Sequence, residues 1–245
     1  MKQEMSATTT LVTGATSGIG RATAIRLAEL GSHVVLSGRD RERGEAAVAQ
    51  IRDAGGRADF LVADLRDENG ARRLAREAIR LGGKVDILVN NAGVYPFAAT
   101  HEVTGEQYDA VYDINVRVPF FLVAELAPAM AERGDGAIVN VSTMVAGFGM
   151  PGAALYGSSK AAVVLLTKAW AAEYGPAGVR VNAVSPGPTL TEGAVGFAGS
   201  LAGTLPAGRA ADPREIADAI AFLISDRASF VHGAVLPVDG GRLAV

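Results

Sequence analysis

The chain has 245 residues, and 49% of them are hydrophobic, which is enough for one large core and too many for a disordered chain. Its 23 basic and 26 acidic residues leave a formal net charge of −3, which argues against a nucleic-acid partner or an acidic membrane surface. The absence of cysteine excludes disulfides, thiol nucleophiles and cysteine metal sites.

Short apolar, β-branched runs alternate with longer helical patterns along the chain. We predict strands at Thr9–Thr13, His33–Ser37, Ala58–Ala63, Asp86–Asn90, Ala137–Ser142, Val179–Val184 and Ala234–Val238. We predict helices at Ile19–Leu30, Arg41–Asp53, Glu68–Leu81, Glu106–Arg133, Leu155–Tyr174 and Pro213–Ser225. This alternation indicates one α/β domain over residues 1–245, with a Rossmann-like, doubly wound parallel sheet of about seven strands and helices on both faces. Such sheets bind ligands at the carboxyl ends of their strands.

The first predicted strand runs into a glycine-rich turn and then a helix, with glycines at Gly14, Gly18 and Gly20. Glycines at a helix N-terminus let a phosphate approach the backbone and meet free N–H groups. The spacing Gly-x-x-x-Gly-x-Gly departs from the common Gly-x-Gly-x-x-Gly fingerprint, and an ordinary glycine-rich turn has the same composition. Its place between strand one and helix one favours a dinucleotide site.

Further motifs follow in chain order. They are Asn90-Asn91-Ala92-Gly93, Asn115 within Asp-Ile-Asn-Val, Tyr156-x-x-x-Lys160, Asn182 with Pro186-Gly187, and Val238-Asp239-Gly240-Gly241. With the glycine turn, they make the chain from Thr9 to Gly241 resemble the short-chain dehydrogenase/reductase family in its compact single-domain form. The resemblance implies an oxidoreductase that uses a nicotinamide dinucleotide to interconvert a ketone or aldehyde and an alcohol by hydride transfer.

Tyr156 and Lys160 lie four residues apart on a predicted helix, so they share a face. A free tyrosine has a pKa of about 10 and is a poor base near neutrality unless a nearby cation favours its phenolate. Lys160 supplies such a cation, and a bound oxidised nicotinamide adds another. A surface tyrosine with a lysine one turn away is common by itself. In the company of the other motifs, we predict that Tyr156 is the general acid/base.

The resemblance also implies a hydroxyl after strand five that binds the substrate oxygen, and two residues compete for this role. The family pattern places it thirteen residues before the tyrosine, at Thr143, whereas Ser142 lies fourteen before. Adjacent residues of an extended chain point to opposite faces, so we expect only one hydroxyl to face the substrate, and the match favours Thr143. Asn115 is the fourth catalytic position that the resemblance implies, on a helix opened locally to hold a water that links Lys160 to solvent. An ordinary buried asparagine bonded to backbone is the alternative.

The tip of the second strand, Ser37-Gly38-Arg39-Asp40, bears on the choice of cofactor. A protein that binds the adenosine ribose of NAD usually has a carboxylate at this position. The resemblance puts Gly38 there. Arg39 can pair with a 2′-phosphate through two parallel charged hydrogen bonds, and Ser37 can add a hydroxyl. We therefore favour NADP(H). NAD(H) stays open, because Asp40 reaches the ribose if the turn is shifted by one residue, although it also suits the helix N-cap.

The resemblance implies further dinucleotide contacts around the same strand ends. They are Gly14, Thr16, Ser17, Gly18, Ile19, Gly20, Asp64, Leu65, Asn91, Ala92, Gly93, Tyr156, Lys160, Pro186, Gly187, Thr189 and Thr191. Asp64 has an alternative role as the N-cap of the next helix.

Residues 189–210 are rich in glycine and alanine and predict a mobile lid over the substrate. We expect the lid, with Phe197 facing the substrate, to close on a small carbonyl or alcohol together with mostly apolar residues, namely Tyr95, Phe148, Met150 and Leu155. The three histidines are far apart and have no carboxylate partners at ligand spacing, so we expect no metal site. The resemblance implies a homotetramer. The polar start of the chain and the lack of about 20 consecutive apolar residues predict a soluble cytoplasmic protein without a membrane partner.

Other functions stay open at this point. A 3-oxoacyl-carrier-protein reductase needs a basic patch to dock an acidic carrier, for which Lys168 and Arg133 are candidates without an obvious cluster. A sugar or steroid dehydrogenase has the same motifs. A dinucleotide-sensing protein without turnover has the same fold but no need for Tyr156 and Lys160 together.

Overall fold

The computed structural model describes residues 5–193 and 195–245, without the side chains of residues 195–197. Within them, strands pair in parallel into one sheet in the order β3-β2-β1-β4-β5-β6-β7. The strands are β1 (Thr9–Thr13), β2 (His33–Gly38), β3 (Arg57–Val62), β4 (Ile87–Asn90), β5 (Gly136–Val141), β6 (Val179–Pro186) and β7 (Val235–Val238). The predicted Rossmann-like sheet is confirmed.

Helices cover both faces of this sheet. They are α1 (Gly18–Glu29), α2 (Arg41–Asp53), α3 (Glu68–Gly82), α4 (Gly105–Tyr112), α5 (Val118–Arg133), α6 (Ala154–Tyr174), α7 (Val195–Leu201) and α8 (Pro213–Ile224). Helices α1, α2 and α8 bury their apolar side chains against one face, and α3, α5 and α6 against the other.

The core is split by the sheet because consecutive strand residues point to opposite faces. In β1, Val12 joins the cluster that includes Leu27 of α1, whereas Leu11 joins the cluster that includes Leu122 of α5. These side chains are fully buried, and burying each leucine stabilises the fold by about 1.5–3 kcal/mol relative to exposing it. The two clusters hold the carboxyl ends of the strands in a fixed arrangement.

The predicted helix Glu106–Arg133 is interrupted in the structure. A π-helical turn at Asp113–Arg117 separates α4 from α5, and Asn115 lies within it. The Asn115 Nδ2 donates to the Val94 carbonyl oxygen at 2.9 Å, and Asn115 Oδ1 accepts the N–H of Val94, also at 2.9 Å. Val94, which lies 21 residues away in the sequence, holds the Asn115 side chain at this point. Helical periodicity reports only neighbouring residues, so it does not show the break.

The helical run Gly105–Arg133 is long and apolar enough to cross a membrane by length and composition, with a mean hydropathy of 1.4 over its best window. In the fold it is a core helix, because Leu122, Leu126 and Met130 are buried against the sheet. The apolar composition of this stretch therefore reflects packing in the core.

Candidate active site

A crevice of about 1240 Å³ lies at the carboxyl ends of the strands. It is lined by the segments that follow β1, β2, β3, β4, β5 and β6, and by parts of α4, α6 and α7. Chain order reverses between β1 and β4, where doubly wound sheets bind their ligands. Ligand sites of small-molecule enzymes are commonly about 300–1,000 Å³, so the crevice has room for both a dinucleotide and a substrate.

The turn after β1 and the turn after β4 are bonded together at the floor of the crevice. The Thr13 hydroxyl accepts the N–H groups of Asn91 and Ala92, both at 3.0 Å. In return, the Asn91 amide donates to the carbonyl oxygens of Thr13 and Gly14, at 2.9 and 3.0 Å. Gly14 has a φ of +63°, and a Cβ there would lie 2.9 Å from the Cα of Ala92, so only glycine fits.

The start of α1 faces the crevice. Gly18, Ile19 and Gly20 line it, and the N–H groups in the first turn of a helix have no partners within the helix. Gly18 has a φ of +51°, and a Cβ there would lie 2.9 Å from the Cγ2 atom of Thr191. Free N–H groups and missing side chains make this turn suitable for a pyrophosphate.

Tyr156, Lys160 and Thr143 all line the crevice. Burial raises the pKa of Tyr156, and a hydrogen bond between its phenol and the Thr143 side chain opposes that rise. The Lys160 ammonium is buried and donates to the Val141 carbonyl oxygen at 2.8 Å; its burial lowers the pKa of Lys160 to about 8. Burial is the largest influence on the pKa of each group, and the expectation that Lys160 and an oxidised nicotinamide make the phenol more acidic stays a prediction.

Ser142 and Thr143 differ in what their hydroxyls do. The Ser142 hydroxyl donates to the Lys160 carbonyl oxygen at 3.2 Å, so it holds β5 against α6. The Thr143 hydroxyl instead meets the phenol of Tyr156. This geometry favours Thr143 as the hydroxyl that faces a substrate.

Asn115 lies directly behind the crevice wall, outside its lining. Besides Val94, its amide donates to the Ser159 hydroxyl at 3.0 Å. A Cβ on Gly93 would lie 3.1 Å from Asn115 Oδ1 and 3.3 Å from Lys160 Nζ, so the three residues are packed around one point. The local opening of the helix agrees with the expectation for this residue, whereas the linking water stays a prediction.

At the tip of β2, Gly38 and Arg39 line the crevice, and Arg39 is exposed. Asp40 is the N-cap of α2, because its carboxylate accepts the N–H of Arg43 at 3.1 Å. The alternative in which Asp40 binds a ribose is therefore not favoured. The prediction that Ser37 adds a cofactor hydroxyl is wrong for this structure: Ser37 is fully buried, its oxygen has no hydrogen-bond partner, and it does not line the crevice. Side chains alternate between the two faces along β2, and that of Ser37 points to a buried face.

Asp64 and Leu65 line the crevice after β3. Asp64 pairs with Arg66 at 2.8 Å, while the N-cap of α3 is Asp67, whose carboxylate accepts the N–H of Gly70 at 2.7 Å. The alternative capping role for Asp64 is therefore wrong.

The other predicted cofactor residues are also brought to this crevice. They are Thr16, Ser17, Asn91, Ala92, Gly93, Pro186, Gly187, Thr189 and Thr191.

Of the predicted substrate residues, Tyr95 lines the crevice, and its ring centroid lies 6.3 Å from that of Tyr156. Phe97, which the sequence did not single out, lines it too, at 6.0 Å from the Tyr156 ring. Tyr156 therefore has two aromatic neighbours at the crevice. No pattern in the sequence singles out Phe97, because it lies after the motif Asn90-Asn91-Ala92-Gly93 and is not part of it.

The prediction that Phe148, Met150 and Leu155 line the crevice is not supported, because none of them is part of its lining. The ring of Phe148 lies 5.0 Å from the guanidinium of Arg242, and Met150 packs with the cluster around Met144 and Val145. A 3-10 turn at Met144–Ala146 follows Thr143, so Met144 and Val145 face the crevice instead. The side chain of Phe197 lies outside the described residues.

Charged residues missed from sequence also line the crevice. Glu106 and Asp109 project from α4, and Arg43 of α2 pairs with Glu192 at 3.0 Å. Arg43 and Glu192 are 149 residues apart, so no local signal could have indicated their contact. Within residues 5–193 and 195–245, no group of three histidine, cysteine, aspartate or glutamate residues is placed to hold a metal ion.

Comparisons with known proteins agree with this geometry. The sequence model of a family described as "Enoyl-(Acyl carrier protein) reductase" matches residues 14–242. A cyclopentanol dehydrogenase from a Comamonas species is 41% identical over 240 residues, covering 96% of each chain. The chain belongs to the short-chain dehydrogenase/reductase family. It is an oxidoreductase of that family, as the order of its motifs predicted.

Other short-chain dehydrogenases are similar over the same length. A cis-4-hydroxycyclohexanecarboxylate dehydrogenase from Sinomonas cyclohexanicum is 42% identical, covering 96% of each chain. A 3-oxoacyl-[acyl-carrier-protein] reductase from Thermotoga maritima is 36% identical, covering 94% of this chain and 96% of its own.

Solved structures of the family have the same fold. A short-chain dehydrogenase/reductase family protein superposes with a TM-score of 0.93 at 49% identity, covering 99% of this chain and all of its own. A blue fluorescent protein from a metagenomic library, in complex with NADPH, has a TM-score of 0.93 at 34% identity, covering 98% and 99% of the two chains.

Proposed function

We propose that this protein is an NADP(H)-dependent dehydrogenase/reductase that interconverts uncharged, apolar ketones and secondary alcohols. The observation that carries the proposal is the meeting of Tyr156, Thr143 and Lys160 in one crevice, where the Thr143 side chain opposes the rise in the pKa of the phenol and Lys160 is buried. A proton donor and a second hydroxyl side by side are what a carbonyl oxygen needs when it becomes an alcohol.

The chain's own residues fit a dinucleotide. The first turn of α1 offers N–H groups to the pyrophosphate, and Gly14 and Gly18 leave room that side chains would fill. Arg39 stands exposed at the crevice edge for a 2′-phosphate, while Asp40 is engaged at the helix cap. Thr189 and Thr191 line the opposite wall at the end of β6.

The reaction follows from these positions. Thr143 donates to the substrate oxygen, and Tyr156 gives that oxygen a proton in reduction or takes it in oxidation. A nicotinamide dinucleotide held in this crevice would supply or accept the hydride of the substrate carbon and, when oxidised, would add a positive charge that favours the phenolate. Because the pKa of Lys160 is lowered to about 8, its ammonium can exchange a proton near neutral pH. Tyr95 and Phe97 limit water at the phenol.

The substrate class is supported by the surroundings of Tyr156 and by the relatives. Two aromatic rings contact the Tyr156 ring edge-on, and two similar proteins are named for alcohols on five- and six-membered rings. We therefore propose small alicyclic alcohols and ketones as substrates. A 3-oxoacyl-carrier-protein reductase is the second candidate, supported by the Thermotoga relative. Glu106, Asp109 and Glu192 at the crevice would repel an acidic carrier, which favours the free alicyclic substrate.

The proposal is tested with the purified protein and NADPH on a panel of cyclopentanone, cyclohexanone and a 3-oxoacyl thioester. Tyr156→Phe should lower kcat at least about 10²-fold on any accepted substrate, because it removes the transferable proton, while the Kd of NADPH stays within about twofold. Tyr174→Phe, at the far end of the same helix, is the matched control and should retain activity. Full activity in Tyr156→Phe, or turnover of none of the compounds by the native protein, would reject the proposal.

The cofactor preference has its own test. Arg39→Ala should weaken NADPH binding about tenfold or more, since a charged hydrogen-bonded pair contributes about 1.5–3 kcal/mol, and should leave NADH binding nearly unchanged. Equal losses for both cofactors, measured by fluorescence titration, would contradict the preference for NADP(H).

We also propose a homotetramer, as the family resemblance implies. Phe120 of α5 and Leu165 of α6 are 44% and 67% exposed, which is consistent with a covered helix surface. Sedimentation analysis of the purified protein tests this state. A cytoplasmic location and movement of the lid over residues 189–210 stay predictions.

A further inference from the structure

An ion pair joins the two sides of the crevice at the end where the cofactor's ribose would bind. Arg43, in the first turn of α2, contacts Glu192 with Nη1 and Oε2 3.0 Å apart. Glu192 lies at the start of the segment that was predicted as a lid. Both residues line the crevice, and both side chains are more than half exposed, so the pair is open to solvent and to ligands.

Arg43 and Arg39 lie four residues apart around the start of α2, and both line the crevice. Arg43 has a second carboxylate partner besides Glu192, because its Nε atom lies 3.3 Å from Asp40 Oδ2. A dianionic phosphate at Arg39 therefore meets a second guanidinium that is held by acidic partners. It also meets the negative charge of Glu192 itself.

We propose that Glu192 competes with the cofactor's 2′-phosphate for Arg43, and so sets how strongly the crevice prefers NADPH over NADH. Binding of the phosphate turns Arg43 away from Glu192. A ribose with a free 2′-hydroxyl carries no charge and leaves the ion pair closed. The inference rests on the proposed NADP(H) dependence, and it adds a residue that opposes that preference.

The expected size follows from the exposure of the pair. Exposed ion pairs contribute up to about 1 kcal/mol, so releasing Arg43 should change affinity by roughly two- to fivefold. Glu192→Gln should therefore lower the Kd of NADPH by about that factor and leave the Kd of NADH unchanged. Glu45→Gln is the matched control, since it removes the same charge from α2 at an exposed pair with Arg41 outside the crevice.

A double-mutant cycle with Arg43→Gln separates direct competition from the general field of a carboxylate. In the Arg43→Gln background, Glu192→Gln should have little further effect on the Kd of NADPH. Binding is followed by cofactor fluorescence on the full-length protein, and unchanged NADH affinity shows that each variant is folded. If Glu192→Gln improves NADPH and NADH equally, or keeps its full effect without Arg43, the inference is overturned. If the native protein does not bind NADPH at all, the proposed function fails first.

Discussion

Lys160 makes a specific prediction about stability, because its charge is buried. Its ammonium has one neutral partner, the Val141 carbonyl oxygen, and burial lowers the pKa of Lys160 from 10.5 to about 8. One pKa unit corresponds to about 1.4 kcal/mol, so folding is disfavoured by about 3 kcal/mol as long as the lysine is charged in both states. A charged lysine at this position of the candidate site therefore lowers the free energy of unfolding.

The sign of the pH dependence follows from the two pKa values. Below about pH 8, folded and unfolded chains are both protonated at Lys160 and the full penalty is present. Between about pH 8 and 10.5 the unfolded chain binds more protons, so stability rises with pH, and the penalty disappears above that range. From pH 7 to 9.5 we expect Lys160 to contribute a gain of about 2 kcal/mol to the free energy of unfolding.

The assay is urea unfolding of the cofactor-free protein at both pH values and a fixed protein concentration. Lys160→Met lacks the titrating group, so its free energy of unfolding should gain about 2 kcal/mol less than that of the native protein over this range. Lys168→Met removes an exposed lysine from the same helix and should behave like the native protein. Parallel pH curves for Lys160→Met and the native protein would refute the assignment of a buried, charge-disfavoured lysine.

Two further changes test the site and the fold. Thr143→Ala should lower kcat by about 10²-fold or more and move the rising limb of the alcohol-oxidation pH profile to higher pH, because the hydrogen bond that lowers the pKa of Tyr156 is lost. Ser142→Ala should change kcat only slightly; the reverse order would assign the substrate hydroxyl to Ser142. Arg180→Met should destabilise the fold by about 1–3 kcal/mol with unchanged kcat, because the carbonyl oxygens at the end of α8 lose their donor. Thermal unfolding measures this loss, and an unchanged Tm would contradict it.

The order of strands and helices, and the positions of the motifs that follow them, could be predicted from local features of the sequence. Apolar periodicity and capping residues are local, and they predict elements such as Thr9–Thr13 and Arg41–Asp53 with the bounds that the structure has. A parallel sheet then brings the ends of its strands to one edge, so Gly14, Asn91 and Tyr156 could be expected in one crevice before any coordinates were known.

What each side chain at that edge contacts depends on how the elements pack together. The contacts distinguish Thr143 from Ser142, place Asp40 at the helix cap and put Ser37 on a buried face of the sheet. They also give the π-helical turn at Asn115 its bounds, Asp113–Arg117. The structure also revealed Phe97 beside the phenol and the pairing of α2 with the lid segment, and it showed that burial raises the pKa of Tyr156. These are contacts and desolvation effects between residues far apart in the chain, and neither spacing nor composition carries that information.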